Sequence, residues 1–275
     1  MTQHFADRLA ALVEERRSRV VLGLDPDPAA LWPGAAGVEE HCRAAIGAAG
    51  PACVGVKLQL ACFERLGAEG VAALEGARDA ARDQGLLVIA DGKRGDVPVT
   101  ARVYGEAMVE TLLADAFTAN PLLGLDSLQP LVDAAAAGGA GVFVLVRTSN
   151  PGAADVQDLQ VDGAPLWERL AAMVDGLGQA GNCGLSHVGA VTGATRPEHL
   201  ARMRELMPRA VFLLPGVGAQ GGRVKDLGPA FEPHSAAGLV TASRSIVGAH
   251  ADRGGDPAAA AAAAAEDLRA AAAKL

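Results

Sequence analysis

The chain is 275 residues long, half of them hydrophobic and 3% aromatic, and its 32 Asp and Glu against 24 Lys and Arg give a formal charge of −8. That is enough apolar material for one large core, as one big α/β domain or two small ones. The acidic balance argues against a general binder of nucleic acid or anionic membranes, which needs a basic face to collect phosphates, so an anionic ligand has to meet a local cationic pocket.

The first segment, MTQHFADRLAALVEERR, carries Asp7, Glu14 and Glu15. It reads as an amphipathic helix without the basic and apolar regions of a secretory signal, so a cytoplasmic location is expected. Short apolar runs then recur at 20–24, 53–57, 86–90, 116–119, 141–146, 187–191, 211–214 and 238–241. Nearly every gap between them is long enough for a helix, such as 69–84 before the third run and 198–206 before the seventh, which is a β/α alternation. The stretch 134–146 is too short to span a bilayer and holds two consecutive glycines, as a helix-to-strand junction would. The alanine-dominated tail 257–275, with Glu266, Asp267, Arg269 and Lys274, reads as a final helix.

Strands that stay apolar on both faces suit a parallel sheet covered by helices, and eight such units in about 250 residues are the size of a (β/α)8 TIM barrel. A doubly wound open sheet is the alternative. No Pro- or Ser-rich linker divides the chain, so a single α/β domain over 1–275 is expected. Cys42, Cys53, Cys62 and Cys183 form no C-x-x-C pair, and Cys53 and Cys62 stand in apolar surroundings, which reads as reduced core thiols. The six histidines show no metal-ligand spacing, so no metal is expected.

A barrel gathers its chemistry at the C-terminal ends of its strands. Asp91, Lys93, Arg94 and Asp96 stand within six positions directly after the apolar VIA. Residues two apart on a strand share a face, so Asp91 and Lys93 project together towards the mouth. Asp25 and Lys57 close the two preceding strands, so three neighbouring strands bring alternating carboxylates and ammoniums into one pocket. The plain alternative is a solvated loop in which Asp96 caps a helix opened by Val97-Pro98. Placement favours the site, because a lysine that ends a core strand carries a burial cost. The glycine-rich PGVGAQGG at 215–222, with Pro215, Gln220 and Gly221, and Arg244 one strand later, sit where this fold binds phosphate.

With GLDPDP at 23–28, VKLQLACFERLG at 56–67, DGKRGDVPVTA at 91–101, VRTSNPGA, PGVGAQGG and TASRSI at 241–246, the chain resembles the longer bacterial branch of the orotidine 5′-phosphate decarboxylase family. The resemblance implies a metal- and cofactor-free decarboxylation of orotidine 5′-monophosphate in pyrimidine synthesis. Lys57, Asp91, Lys93 and Asp96 match the catalytic array, with Lys93 as proton donor. A homodimer is implied, with Asp96, Val97 and Thr100 contributed to the neighbouring subunit's pocket. Asp25 matches the ribose-hydroxyl acceptor, and is also readable as a turn residue between prolines. Ser149 matches the loop that binds the pyrimidine, and Asn120 either orders the fourth loop or caps a turn. Two rivals remain: a Mg²⁺-dependent sister on the same barrel, such as a hexulose-phosphate synthase, whose acid at the end of strand two is here Lys57, and a catalytically silent phosphate-ligand sensor.

Overall fold

The computed structural model describes residues 3–218 and 221–275. Its strands in chain order are β1 (Val20–Leu24), β2 (Gly55–Gln59), β3 (Leu87–Arg94), β4 (Ala116–Ala119), β5 (Gly141–Arg147), β6 (Gln160–Val161), β7 (Ala164–Pro165), β8 (Val188–Thr192), β9 (Phe212–Leu214) and β10 (Gly238–Ala242). The short β6–β7 hairpin lies in the crossover from β5 to β8, and the other eight close a barrel in the order β1-β10-β9-β8-β5-β4-β3-β2. Because β1 pairs in parallel with both β2 and β10, the open doubly wound sheet is excluded. The helices are α1 (Phe5–Arg16), α2 (Val38–Ala49), α3 (Leu60–Glu64), α4 (Gly67–Asp83), α5 (Pro98–Glu106), α6 (Leu125–Gly138), α7 (Leu166–Leu177), α8 (Leu200–Leu206), α9 (Arg244–Val247), α10 (Ala249–Arg253) and α11 (Pro257–Ala272). Among the described residues no helix is long and apolar enough to cross a membrane.

The apolar runs at 20–24 and 116–119 coincide with β1 and β4, but β2 and β3 run past the expected ends to Gln59 and Arg94. Apolar character alone stops at the first charge. The backbone continues as strand because the charged side chains there face an open mouth. Alternation sorts the rest: Val20, Leu22, Val56, Leu58, Val88, Ala90, Phe117, Val142 and Val144 belong to the layer under the helices. Val21, Ile89, Ala116, Phe143, Val191, Leu213 and Leu239 belong to the interior.

Helix α1 adds Phe5, Leu9 and Val13 to that interior cluster and so closes the floor of the barrel. Arg8 fastens it with an ion pair of 2.6 Å to Asp115, whose other oxygen accepts from the Val88 amide at 2.9 Å. Phe5 and Phe143 meet edge to face at 6.0 Å, and both rings occupy space left by glycine. A Cβ on Gly141 would lie 2.5 Å from the Phe5 ring, and one on Gly189 would lie 2.9 Å from Phe143. Cys42 and Cys53 are buried, with thiols pushed by burial to about 12. Cys62 and Cys183 correct the sequence reading, since both are only partly buried; partial burial raises each thiol, with the nearby Asp25 carboxylate adding to it at Cys62.

Arg204 of α8 is a buried cation without a carboxylate at hydrogen-bond distance. Its guanidinium donates to the carbonyls of Met207, Pro208 and Ala210 at 2.9, 3.5 and 2.8 Å, and to those of Ala230 and Ala237 at 2.7 and 3.1 Å. It also lies 3.9 Å over the Phe212 ring. Burial lowers its pKa to about 10, which leaves it charged at neutral pH. Arg204→Met strands several buried carbonyls, so a loss of about 3–5 kcal/mol in urea unfolding is expected. Arg204→Lys, with three donors in place of a planar fork, should recover little of it.

Candidate active site at the barrel mouth

The C-terminal ends of the strands open into a cavity of about 760 Å³. Asp25, Lys57, Asp91, Lys93, Asn120, Ser149, Pro215 and Arg244 line it, and so do Gln59, Thr118 and Gln157. At its centre Lys57 Nζ donates to Asp91 Oδ2 at 2.5 Å and Lys93 Nζ donates to Asp91 Oδ1 at 2.6 Å. Asp25 stands 3.9 Å from Lys57 Nζ, so charges of alternating sign follow one another as expected. Lys57 and Asp91 are buried, whereas the Lys93 side chain is 41% exposed and reaches into the open cavity.

Simple strand alternation does not bring Asp91 and Lys93 together. The register of β3 on β4 runs Ala90 to Phe117 and then Arg94 to Ala119, so residues 91–93 bulge opposite Thr118 alone. Lys93 takes φ +47°, a left-handed conformation that side-chain-bearing residues rarely adopt. Gly95 then lets the chain pass the Asn120 carbonyl, which a Cβ there would approach to 3.0 Å.

Burial alone would raise the Asp91 pKa, but the Lys57 and Lys93 ammoniums and their hydrogen bonds outweigh it and hold the group at about 2. From an ordinary 3.8, this lowered pKa contributes stability that is present above about pH 4 and lost as pH falls towards 2, about 2 kcal/mol in all. The stability advantage of the wild type over Asp91→Asn in urea should therefore shrink by about that amount between pH 4 and pH 2.

Ser149 is carried by a loop anchored at its base. Arg147, at the end of β5, makes two bonds to Asp158 at 2.8 and 2.9 Å, and the Thr148 amide donates to Gln157 Oε1 at 2.8 Å. Gly193 lets β8 approach, since a Cβ there would lie 2.7 Å from Ser149 Cα. Asn120 Oδ1 accepts from the Leu122 amide at 3.0 Å, so the turn-forming reading of Asn120 holds while the residue also lines the cavity. In the glycine-rich loop, Gly216, Gly218 and Gly221 all have positive φ, and the Gly218, Gly221 and Gly222 amides donate to carbonyls within the loop. The amides that the sequence offers to an anion are thus spent on the loop's own acceptors at these three positions. Gly221 does not line the cavity, and Gln220 lies outside the described residues.

Asp96, Val97 and Thr100 do not line the cavity of their own chain. The Asp96 carboxylate accepts from the Val97 amide at 2.7 Å, Val97 is the N-cap of α5, and Pro98 takes the first helical turn. Arg94, to which the sequence assigns no role, pairs with Glu64 and lies 5.4 Å over the Tyr104 ring. Sequence reasoning missed Gln59 and Thr118. Each has a signal: Gln59 shares the inward face of Lys57 two residues on, and Thr118 is the polar residue of the apolar run 116–119.

Fold and site together define a single-domain barrel enzyme whose chemical centre is a hydrogen-bonded array of ion pairs. Residues 18–264 match the family model described as orotidine 5′-phosphate decarboxylase / HUMPS family. The chain belongs to this family. The orotidine 5′-phosphate decarboxylase of Deinococcus radiodurans is 42% identical over 250 residues, 90% of each chain. The solved OMP decarboxylase of Leishmania donovani is 33% identical with a TM-score of 0.79, over 98% of this chain and 99% of that one. The UMP synthase of the same organism is 35% identical with a TM-score of 0.79, and this chain spans 57% of its length.

Proposed function

We propose that this chain decarboxylates orotidine 5′-monophosphate to uridine 5′-monophosphate as a homodimer, without metal or cofactor. The observation that carries the reading is the run of alternating charges Asp25, Lys57, Asp91 and Lys93 at the mouth of a barrel of this family. The C6–carboxylate bond breaks, CO₂ leaves, and the electron pair stays on C6. The Lys93 ammonium stabilises that charge in a partly desolvated pocket, then transfers a proton to C6 and is recharged from solvent. Asp91, held ionised by its neighbours, cannot be the proton source at neutral pH; its hydrogen bond aims the Lys93 ammonium. Asp25 takes a ribose hydroxyl, Ser149 the pyrimidine, and Arg244 with the loop of Pro215, Gln220 and Gly221 the phosphate.

Support for the dimer comes from an apolar exposed face on α5 and the β4–α6 connection: Val97, Val99, Val103, Leu122, Leu123 and Leu125 are each at least 44% exposed. Asp96, Val97 and Thr100 belong to the same region and complete the partner's cavity rather than their own. Cytoplasmic location accords with the reading.

The test is the loss of orotidine 5′-monophosphate absorbance, with and without chelator. Absence of turnover in purified protein sinks the decarboxylase reading. A requirement for Mg²⁺ favours the sister enzyme, against which Lys57 argues, because its ammonium repels a dication at the end of β2.

A further inference from the structure

We infer that Thr118 is a positioning residue for the reaction, its hydroxyl holding the 91–93 bulge in the one geometry that aims Lys93 and Asp91 at the same point. The inference rests on the reading of Lys93 as proton donor. Where the β3–β4 ladder skips, the Thr118 side chain takes the place of the missing backbone partner. The Lys93 amide donates to Thr118 Oγ1 at 2.8 Å, and the Thr118 hydroxyl donates to Asp91 Oδ1 at 2.9 Å. Lys93 Nζ reaches the same oxygen at 2.6 Å, so hydroxyl, amide, lysine side chain and carboxylate close a ring. The ladder resumes one residue later, where the Asn120 amide donates to the Arg94 carbonyl at 2.8 Å.

Two features make the hydroxyl more than a strand residue. Accepting from the Lys93 amide leaves its proton free to point at Asp91, which fixes its direction. Thr118 is also 1% exposed, so water does not substitute for it readily, and the β-branched side chain is stiff at χ1. Without this bond the left-handed Lys93 loses a partner that offsets its backbone strain, and the ammonium gains freedom to leave the position of the developing carbanion. With its amide nitrogen turned to Asp91, Gln59 braces the far side, donating to Asp91 O at 2.7 Å and to Oδ2 at 3.1 Å.

Thr118→Val keeps the shape and deletes the hydroxyl. We expect kcat to fall about 30- to 100-fold, with KM and uridine 5′-monophosphate affinity changed less than about threefold. Thr118→Ser should return kcat to within about fivefold of wild type, because it restores both bonds. Should the valine variant fail to fold, Thr118→Ala carries the same comparison against serine. A kcat within about threefold of wild type in the hydroxyl-free variants, or a loss confined to KM and equal in serine and valine, would overturn the role. Turnover retained in Lys93→Ala would overturn the proton-donor reading, whereas a silent Thr118→Val beside an inactive Lys93→Ala would sink the role of Thr118 alone.

Discussion

Lys93→Ala is expected to lower turnover by about 10⁴-fold or more, because one ammonium does two tasks in the proposed reaction. Fixed electrostatic stabilisation of a developing anion is worth about 10²–10³ in kcat, and a positioned general acid about 10²–10⁴. The exposed reach of Lys93 into the cavity leaves no second cation at that point, since Lys57 is buried against the other oxygen of Asp91. The substitution also leaves the pocket one unit more negative, so the anionic substrate should bind less well. The product lacks the carboxylate, and the contacts proposed for Asp25 with the ribose and Arg244 with the phosphate are left in place, so its affinity should change little. Titration calorimetry with uridine 5′-monophosphate beside the absorbance assay separates the two effects, and activity retained in the variant refutes the assignment.

Asp96→Asn should be nearly inactive on its own, yet recover when mixed with Lys93→Ala. If Asp96 completes the neighbouring subunit's site, a hybrid dimer has one doubly defective site and one intact one. Random exchange makes half of the dimers hybrid, so the mixture should approach about a quarter of wild-type activity. Two sites self-contained within their own chains would give no recovery. The local geometry accords with the shared arrangement, because the Asp96 carboxylate is turned to the Val97 amide and does not line the mouth cavity of its own chain.

The eight barrel strands and the barrel were legible because helix-covered parallel strands must be apolar on both faces, and that pattern survives in a single sequence, whereas the two-residue strands of the β6–β7 hairpin are too short to leave one. The charged array was legible for the converse reason: Lys57 and Asp91 interrupt runs that have no other cause to stop. What escaped was geometry set between strands. The 91–93 bulge depends on how β3 meets β4, which no local pattern encodes, and Thr118 matters only because it stands opposite. Gln59 was hidden by the expectation that β2 ends at residue 57, and Cys62 by apolar sequence neighbours that do not surround it in space. The glycine-rich loop was read as a set of open amides, although several are engaged internally.

The floor of the barrel carries an evolutionary constraint. Gly141 and Phe5 divide one volume between two positions, so a methyl added at Gly141 is admissible only after the Phe5 ring has shrunk, whereas at Gly189 the Val211 carbonyl, 2.3 Å from an added Cβ, forbids one whatever stands at 143. Drift through this region therefore proceeds by paired exchange, and the two single substitutions should be strongly non-additive with the double. Phe5 comes from outside the sheet, so this pair ties the history of an amino-terminal helix to that of a strand more than a hundred residues away.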